Sequence, residues 1–144
     1  MYCTIDDIKE QLPERELIQL TDDARTGEVD PSVANRAIED AVAVIDGYVA
    51  KKALVPLNPA PAIIRKICVD FAICNLHARR MDEIPEAQKE RCEQGHKMLV
   101  LYSKGQITLG LQPAPEAPGE PGADAALVNA RKKIFGEDEL DKMP

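Results

Sequence analysis

The chain has 144 residues, enough for one domain with a modest core. It is 44% hydrophobic but only 3% aromatic and has no Trp, so its interior must be built from Ile, Leu, Val and Ala, which suits helices packed on helices. A formal net charge of −7 argues against a nonspecific DNA-binding face, which needs clustered Lys and Arg.

Thr4 reads as an N-cap with Asp7 three positions on, close to a capping box, and Ile5, Ile8 and Leu12 give a short apolar stripe. Pro13 stops this helix or starts the next, a short one from Glu14 to Leu20, and the polar stretch Thr21 to Val29 is a loop. Asp30-Pro31 is a strong helix start, because Asp accepts from free backbone N–H groups and Pro at the first position has none to satisfy. From there to about Lys52, Ala34, Ile38, Ala41, Val42, Ile45, Tyr48 and Val49 share one face. Gly47 within this helix is expected to mark the close approach of a neighbour.

Pro56, Pro59 and Pro61 make Leu54 to Pro61 a stiff, extended connection. The next helix, about Ala60 to Met81, is apolar on most sides, with a narrow polar strip of Lys66, Asp70 and His77. Such a helix belongs at the centre of a bundle. Arg79-Arg80 suits the negative end of its dipole. Another helix runs from about Pro85 to Lys104, with Ile84, Cys92, Met98, Leu99 and Tyr102 on its apolar side, and Ile107, Leu109 and Leu111 form a small extended exit. The fold class is thus all-α, a small bundle of about four main helices over residues 1–111. Residues 112–144 read as an acidic arm. Its Pro- and Gly-rich start at 112–124 cannot bury enough apolar surface to offset ordering entropy, so the arm is expected to be disordered. Leu127, Val128, Ile134, Phe135 and Leu140 then restore apolar anchors around the only basic triplet, Arg131-Lys132-Lys133, making Arg131, Lys132, Lys133, Ile134, Phe135 and Leu140 the candidate partner-binding residues.

No constellation carries convincing catalysis, and no cofactor loop is present. Cys74 with His77, and Cys92 with His96, have helical spacings that could assemble a tetrahedral zinc site, yet both cysteines also fit apolar helix faces, and packing is the favoured reading. The acidic pairs Asp22-Asp23, Glu39-Asp40 and Asp82-Glu83 read as solvated surface rather than paired acid and base. No apolar run approaches the ~20 residues of a membrane span, and the opening lacks the regions of a signal peptide. The expected compartment is therefore the cytoplasm, with Cys3, Cys68, Cys74 and Cys92 as reduced thiols.

Several runs resemble one family. Met1-Tyr2-Cys3-Thr4 with Asp6-Asp7, Glu16-Leu17-Ile18-Gln19-Leu20-Thr21-Asp22, Ile45-Asp46-Gly47-Tyr48, Val55-Pro56-Leu57 and Asp70 through Leu76-His77 are similar to the Mu-like phage and prophage head–tail connector (neck or head-completion) proteins. Ile134-Phe135 before Asp138-Glu139-Leu140 resembles a short tail motif of such proteins, interrupted here by Gly136-Glu137. The resemblance implies a non-enzymatic virion subunit that joins a ring, a dodecamer, between a portal protein and a tail or head-closure protein. DNA passes through such a ring as cargo, and neither cofactor nor membrane is implied. The competing reading is a small cytoplasmic regulatory or adaptor domain that binds a host protein.

Overall fold

The computed structural model describes residues 1–80, 83–111 and 113. Among them are five helices and no strand: α1 (Ile5–Gln11), α2 (Glu14–Thr21), α3 (Pro31–Val49), α4 (Ala62–Arg79) and α5 (Glu86–Ser103). The all-α expectation holds, with three long helices and two short ones. The candidate arm residues Arg131, Lys132, Lys133, Ile134, Phe135 and Leu140 lie outside the described residues.

Local chemistry sets the helix ends. Thr4 and Asp7 form a complete capping box: the Asp7 N–H donates to Thr4 Oγ1 (3.2 Å) and the Thr4 N–H donates to Asp7 Oδ2 (2.9 Å). Pro13 both ends α1 and precedes the first residue of α2. Asp30 accepts from the Ser32 N–H at 3.0 Å, with Pro31 at the first helical position of α3. Gly105, at φ +79°, turns the chain out of α5 while the Gln106 N–H donates back to the Leu101 carbonyl at 2.9 Å.

Helix α4 packs against all four others, and its interface with α3 is the most extensive in the bundle. Ile64, Ile67, Cys68, Ala72, Ile73 and Leu76 are fully or almost fully buried along it, and Ile38, Ala41, Ile45 and Val49 answer from α3. A helix apolar on most sides can bury itself only by being surrounded, and that is the position α4 takes. Leu99 and Tyr102 close the core from α5, Ile8 from α1, and Leu17 and Leu20 from α2.

Four expectations are corrected. Gly47 faces open space: a Cβ built there meets nothing within 4 Å. The close approach is instead at Gly95 on α5, where a Cβ would stand 2.8 Å from Phe71 Cε1 and 3.3 Å from Ile67 Cγ2. Ile107, Leu109 and Leu111 are not an extended piece. They lie half-buried in a turn with Leu109 at φ 54°, packed against the core. Asp70 does not lie on an exposed strip, being only 1% exposed. Finally, the cysteines are not all thiols, since Cys74 on α4 and Cys92 on α5 are joined by a disulfide. Their helices pack side by side and bring the two sulfurs together across a separation of 18 residues, a proximity that spacing alone does not reveal.

Candidate functional site

The polar side chains inside the bundle collect at three junctions. At the first, the opening segment meets α3 and the Pro-rich connection. The Tyr2 hydroxyl donates to Asp46 Oδ1 and accepts from the Leu57 N–H at 2.9 Å. Tyr2 is 6% exposed, and burial together with the bond to Asp46 pushes its phenol up to about 12. Cys3, the next residue, has its Sγ 3.1 Å from Cys68 Sγ on α4, and both are buried free cysteines. The bond to Cys68 and burial push the Cys3 thiol well above its ordinary range.

At the second junction α1, α4 and α5 meet around Asp70. Its carboxylate accepts from Lys66 Nζ at 2.9 Å, one helical turn earlier, and from Gln11 Nε2 at 2.8 Å. The buried Gln88 of α5 donates to the Asp70 carbonyl at 3.0 Å, so the second helix is tied to the same residue. A buried carboxylate needs this compensation, since an unpaired one would be strongly disfavoured.

At the third junction, α2 and its following loop are tied to the end of α4. Arg79 donates to the Leu20 carbonyl at 2.8 Å and pairs with Asp23, and Arg80 pairs with Asp23 at 3.2 Å. Asp22 folds the loop by accepting from the Thr26 and Gly27 N–H groups at 2.8 and 2.7 Å. Those backbone bonds hold the Asp22 carboxyl below its ordinary range, and the bond from Arg79 does the same for Asp23. The Asp22-Asp23 pair stands at the solvated surface, as expected, and there fastens the loop, with Arg79-Arg80 as its clamp.

The four residues of the possible zinc site are not assembled as ligands. The sulfurs of Cys74 and Cys92 bond to each other. His96 stacks on Phe71 with ring centroids 4.4 Å apart and meets Tyr48 edge-on at 6.1 Å. His77 Nδ1 is buried without a hydrogen-bond partner. Open grooves remain between helices: one of ≈ 530 Å³ is lined by Lys66, Ala87, Glu90, Arg91, Glu93, Gln94 and Lys97, and another of ≈ 430 Å³ by Ser32, Val33, Arg36, Ala37, Asp40, Asn75 and Arg79. Small-molecule sites are typically concave and mostly apolar with a few convergent polar groups. Charged, open grooves of this kind offer no such convergence.

Three of the runs that carry the family resemblance therefore meet at one point: Tyr2, Asp46 and Leu57 come from Met1–Thr4, Ile45–Tyr48 and Val55–Leu57. Asp70, from a fourth, anchors the second junction. Composition and periodicity did not single out Tyr2, Gln11 or Gln88. The one available signal was the four-residue spacing of Lys66 and Asp70, which suits an ion pair on a helix.

The class defined by this architecture is an all-α bundle whose buried polar groups bind its own helices together and among whose described residues no helix is long and apolar enough to cross a membrane. The chain belongs to the bacteriophage family described as "Bacteriophage Mu, Gp36", which matches residues 2–127. It is similar to "Gene product J" of Escherichia phage Mu, with 34% identity over 68 residues, covering 46% of this chain and 48% of that protein. The matched region thus spans about half the length of that curated relative.

Proposed function

We propose that the chain is a non-enzymatic virion assembly protein, a head–tail connector subunit that joins a ring between the portal and the tail or head-closure protein. The observation that carries this reading is membership of a bacteriophage Mu family over residues 2–127. The internal polar chemistry is consistent with it: Tyr2–Asp46, Gln11–Asp70, Gln88–Asp70 and Arg79–Asp23 fasten separate segments to one another rather than converging on a cleft. A rigid body of this kind acts by presenting surface. A closed ring needs heterologous contacts between copies, each offering one face to the next. The charged grooves along α3–α4 and α4–α5 supply polar contact surface for such neighbours. In this reading the protein waits in the host cytoplasm, enters the virion with the portal, and encircles DNA as passing cargo. The segment 112–144, with Arg131, Lys132, Lys133, Ile134, Phe135 and Leu140, binds the adjacent subunit.

Mass photometry of the purified protein, alone and with a portal protein of a Mu-like phage, tests the reading. Joining of the portal as a ring is the expected result. A chain indifferent to the portal would overturn it and leave the host-protein adaptor as the reading to pursue. Deletion of residues 112–144 should leave the five-helix bundle folded but weaken assembly, and undiminished assembly would remove the arm from the mechanism.

A further inference from the structure

The four cysteines of the chain fall into two pairs. Cys74 and Cys92 are bonded. Cys3 and Cys68 are not, yet their sulfurs lie 3.1 Å apart in the core, at 2% and 0% exposure. We propose that Cys3 and Cys68 are a second disulfide-forming site, which a small-molecule disulfide such as oxidised glutathione closes to staple the opening segment to the central helix.

Three observations support the pairing. Cys3 is held on both sides: Tyr2 is anchored on Asp46 and Leu57, and Thr4 caps α1. Its sulfur therefore has a fixed address rather than one visited by chance. Cys68 lies in the middle of α4, so its own position is set by the best-packed element of the bundle. The two pairs are also kept apart. Cys68 and Cys74 are six residues apart on α4, which turns them by roughly two-thirds of a circle at 3.6 residues per turn. One faces the opening segment and the other faces α5, so the pairs do not share a surface across which they could exchange.

The chemistry balances without any other reactant. One cysteine thiolate, formed by loss of its proton to water, attacks a sulfur of oxidised glutathione and releases one glutathione thiolate. The second cysteine, also deprotonated, attacks the protein-side sulfur of the mixed disulfide and expels the other glutathione. The two cysteines lose two electrons and two protons, and one glutathione disulfide becomes two glutathione thiols. Both thiols are buried, so the reaction proceeds through local opening of the Met1–Thr4 segment and is slow. Once formed, the bond closes a loop containing α1, α2 and α3, while Cys74–Cys92 ties α4 to α5. Together the two bonds tie the opening segment and α5 to α4.

The test uses the full chain, equilibrated in glutathione buffers from fully reduced to fully oxidised, then acid-quenched, denatured, alkylated and peptide-mapped. The expected result in oxidised glutathione is a Cys3–Cys68 cross-linked peptide beside Cys74–Cys92, with no alkylated cysteine and a raised urea midpoint. Cys3→Ser should keep Cys74–Cys92, show Cys68 alkylated, and lose only the increment in midpoint. Cys68→Ala, checked for helix content, serves the same purpose should the first variant fold poorly. Alkylated Cys3 and Cys68 in a sample whose Cys74–Cys92 bond is complete would overturn the proposal. So would pairing of Cys3 with Cys74 or Cys92, or a mixed disulfide at Cys3 that never resolves.

Discussion

Tyr2 and Asp46, 44 positions apart in the chain, share a hydrogen bond from phenol to carboxylate that fixes the opening segment against α3. The same hydroxyl accepts from the Leu57 N–H, so one oxygen joins three separate stretches of chain. Tyr2→Phe keeps the ring in place and removes only that oxygen. It leaves a partly buried N–H and a carboxylate without their partner, a loss worth about 1–3 kcal/mol. Urea unfolding should show the midpoint falling with an unchanged slope. An unaltered midpoint would mean that water replaces the hydroxyl at no cost.

The same contact makes stability depend on alkaline pH. Burial and Asp46 hold the Tyr2 phenol at about 12, above its ordinary 10.0, so the folded state keeps its proton where the unfolded state gives it up. The contribution is complete below pH 10.0 and is lost as pH rises through about 12. Burial also raises Tyr102, which provides a second alkaline slope that Tyr2→Phe leaves in place. Unfolding free energy followed across this range should therefore fall less steeply in Tyr2→Phe than in the parent. Equal slopes would remove Tyr2 as the titrating group.

Two helical glycines should respond oppositely to the same substitution. At Gly47 a methyl group meets open space, so Gly47→Ala gains about 0.5–1 kcal/mol from helix propensity and the narrower unfolded ensemble. At Gly95 the methyl group would stand 2.8 Å from the buried Phe71 ring, with Ile67 also close. Phe71 is itself capped by His96, so it has little room to turn away. Gly95→Ala should cost about 1–3 kcal/mol through overpacking despite the better propensity. Thermal melts of the two variants would settle the contrast, and a shift of the same sign in both would contradict it.

Much of the bundle was legible because its signals are local. Thr4 with Asp7, and Asp30 with Pro31, announce helix starts through side chains within three residues of the groups they satisfy. The apolar run through α4 announced a central helix, because no other location buries so many sides at once. What stayed hidden depends on which faces meet. Gly47 and Gly95 look alike in sequence, and only packing shows that Phe71 presses on the second. Asp70 looked exposed because its polar neighbours on α4, Lys66 and His77, suggested a wet strip, while its other partners, Gln11 and Gln88, come from distant elements. The cysteines were read from an expected compartment, and the proximity of Cys74 to Cys92 is a property of the α4–α5 contact. The candidate residues at 131–140 rest on composition and resemblance, since the described structure ends before them.

The pairing around Asp70 offers the largest predicted loss. The Asp70 carboxylate is 1% exposed, whereas the Lys66 side chain that pairs with it is 58% exposed. The two partners should therefore be unequal on deletion. Lys66→Met leaves a buried carboxylate holding Gln11 alone and should cost about 3 kcal/mol or more, because the charge loses its counter-ion. Asp70→Ala frees Lys66 and the exposed Gln11 to solvent but leaves a cavity, for about 2–4 kcal/mol. Asp70→Leu, which fills that volume with an apolar side chain, should recover much of that loss. Denaturant titrations of the set would show it, and Asp70→Leu no better than Asp70→Ala would mean that the polar contacts themselves carry the stability.

The Asp22–Gly27 loop should be the part of the bundle most sensitive to acid. Backbone N–H groups from Thr26 and Gly27 lower the Asp22 carboxyl, and Arg79 lowers Asp23, so both stay ionised in the folded state where the unfolded chain takes up protons. Their contribution is present above the ordinary carboxylate value of 3.8 and is lost as pH falls through the lower folded values. Both side chains face solvent, so the effect should be local opening rather than global unfolding. Protection of the Thr26 and Gly27 amides, relative to the intrinsic exchange rate at each pH, should fall at acid pH before protection in α4 does. Asp22→Asn should bring the same loss of protection at neutral pH, because an amide oxygen is a weaker acceptor than a carboxylate. Asp23→Asn should leave those amides protected and loosen the Arg80 side chain instead, while Arg79 keeps its bond to the Leu20 carbonyl. Identical exchange in both variants would mean that the two carboxylates act as one surface cluster, without the division of labour that their partners indicate.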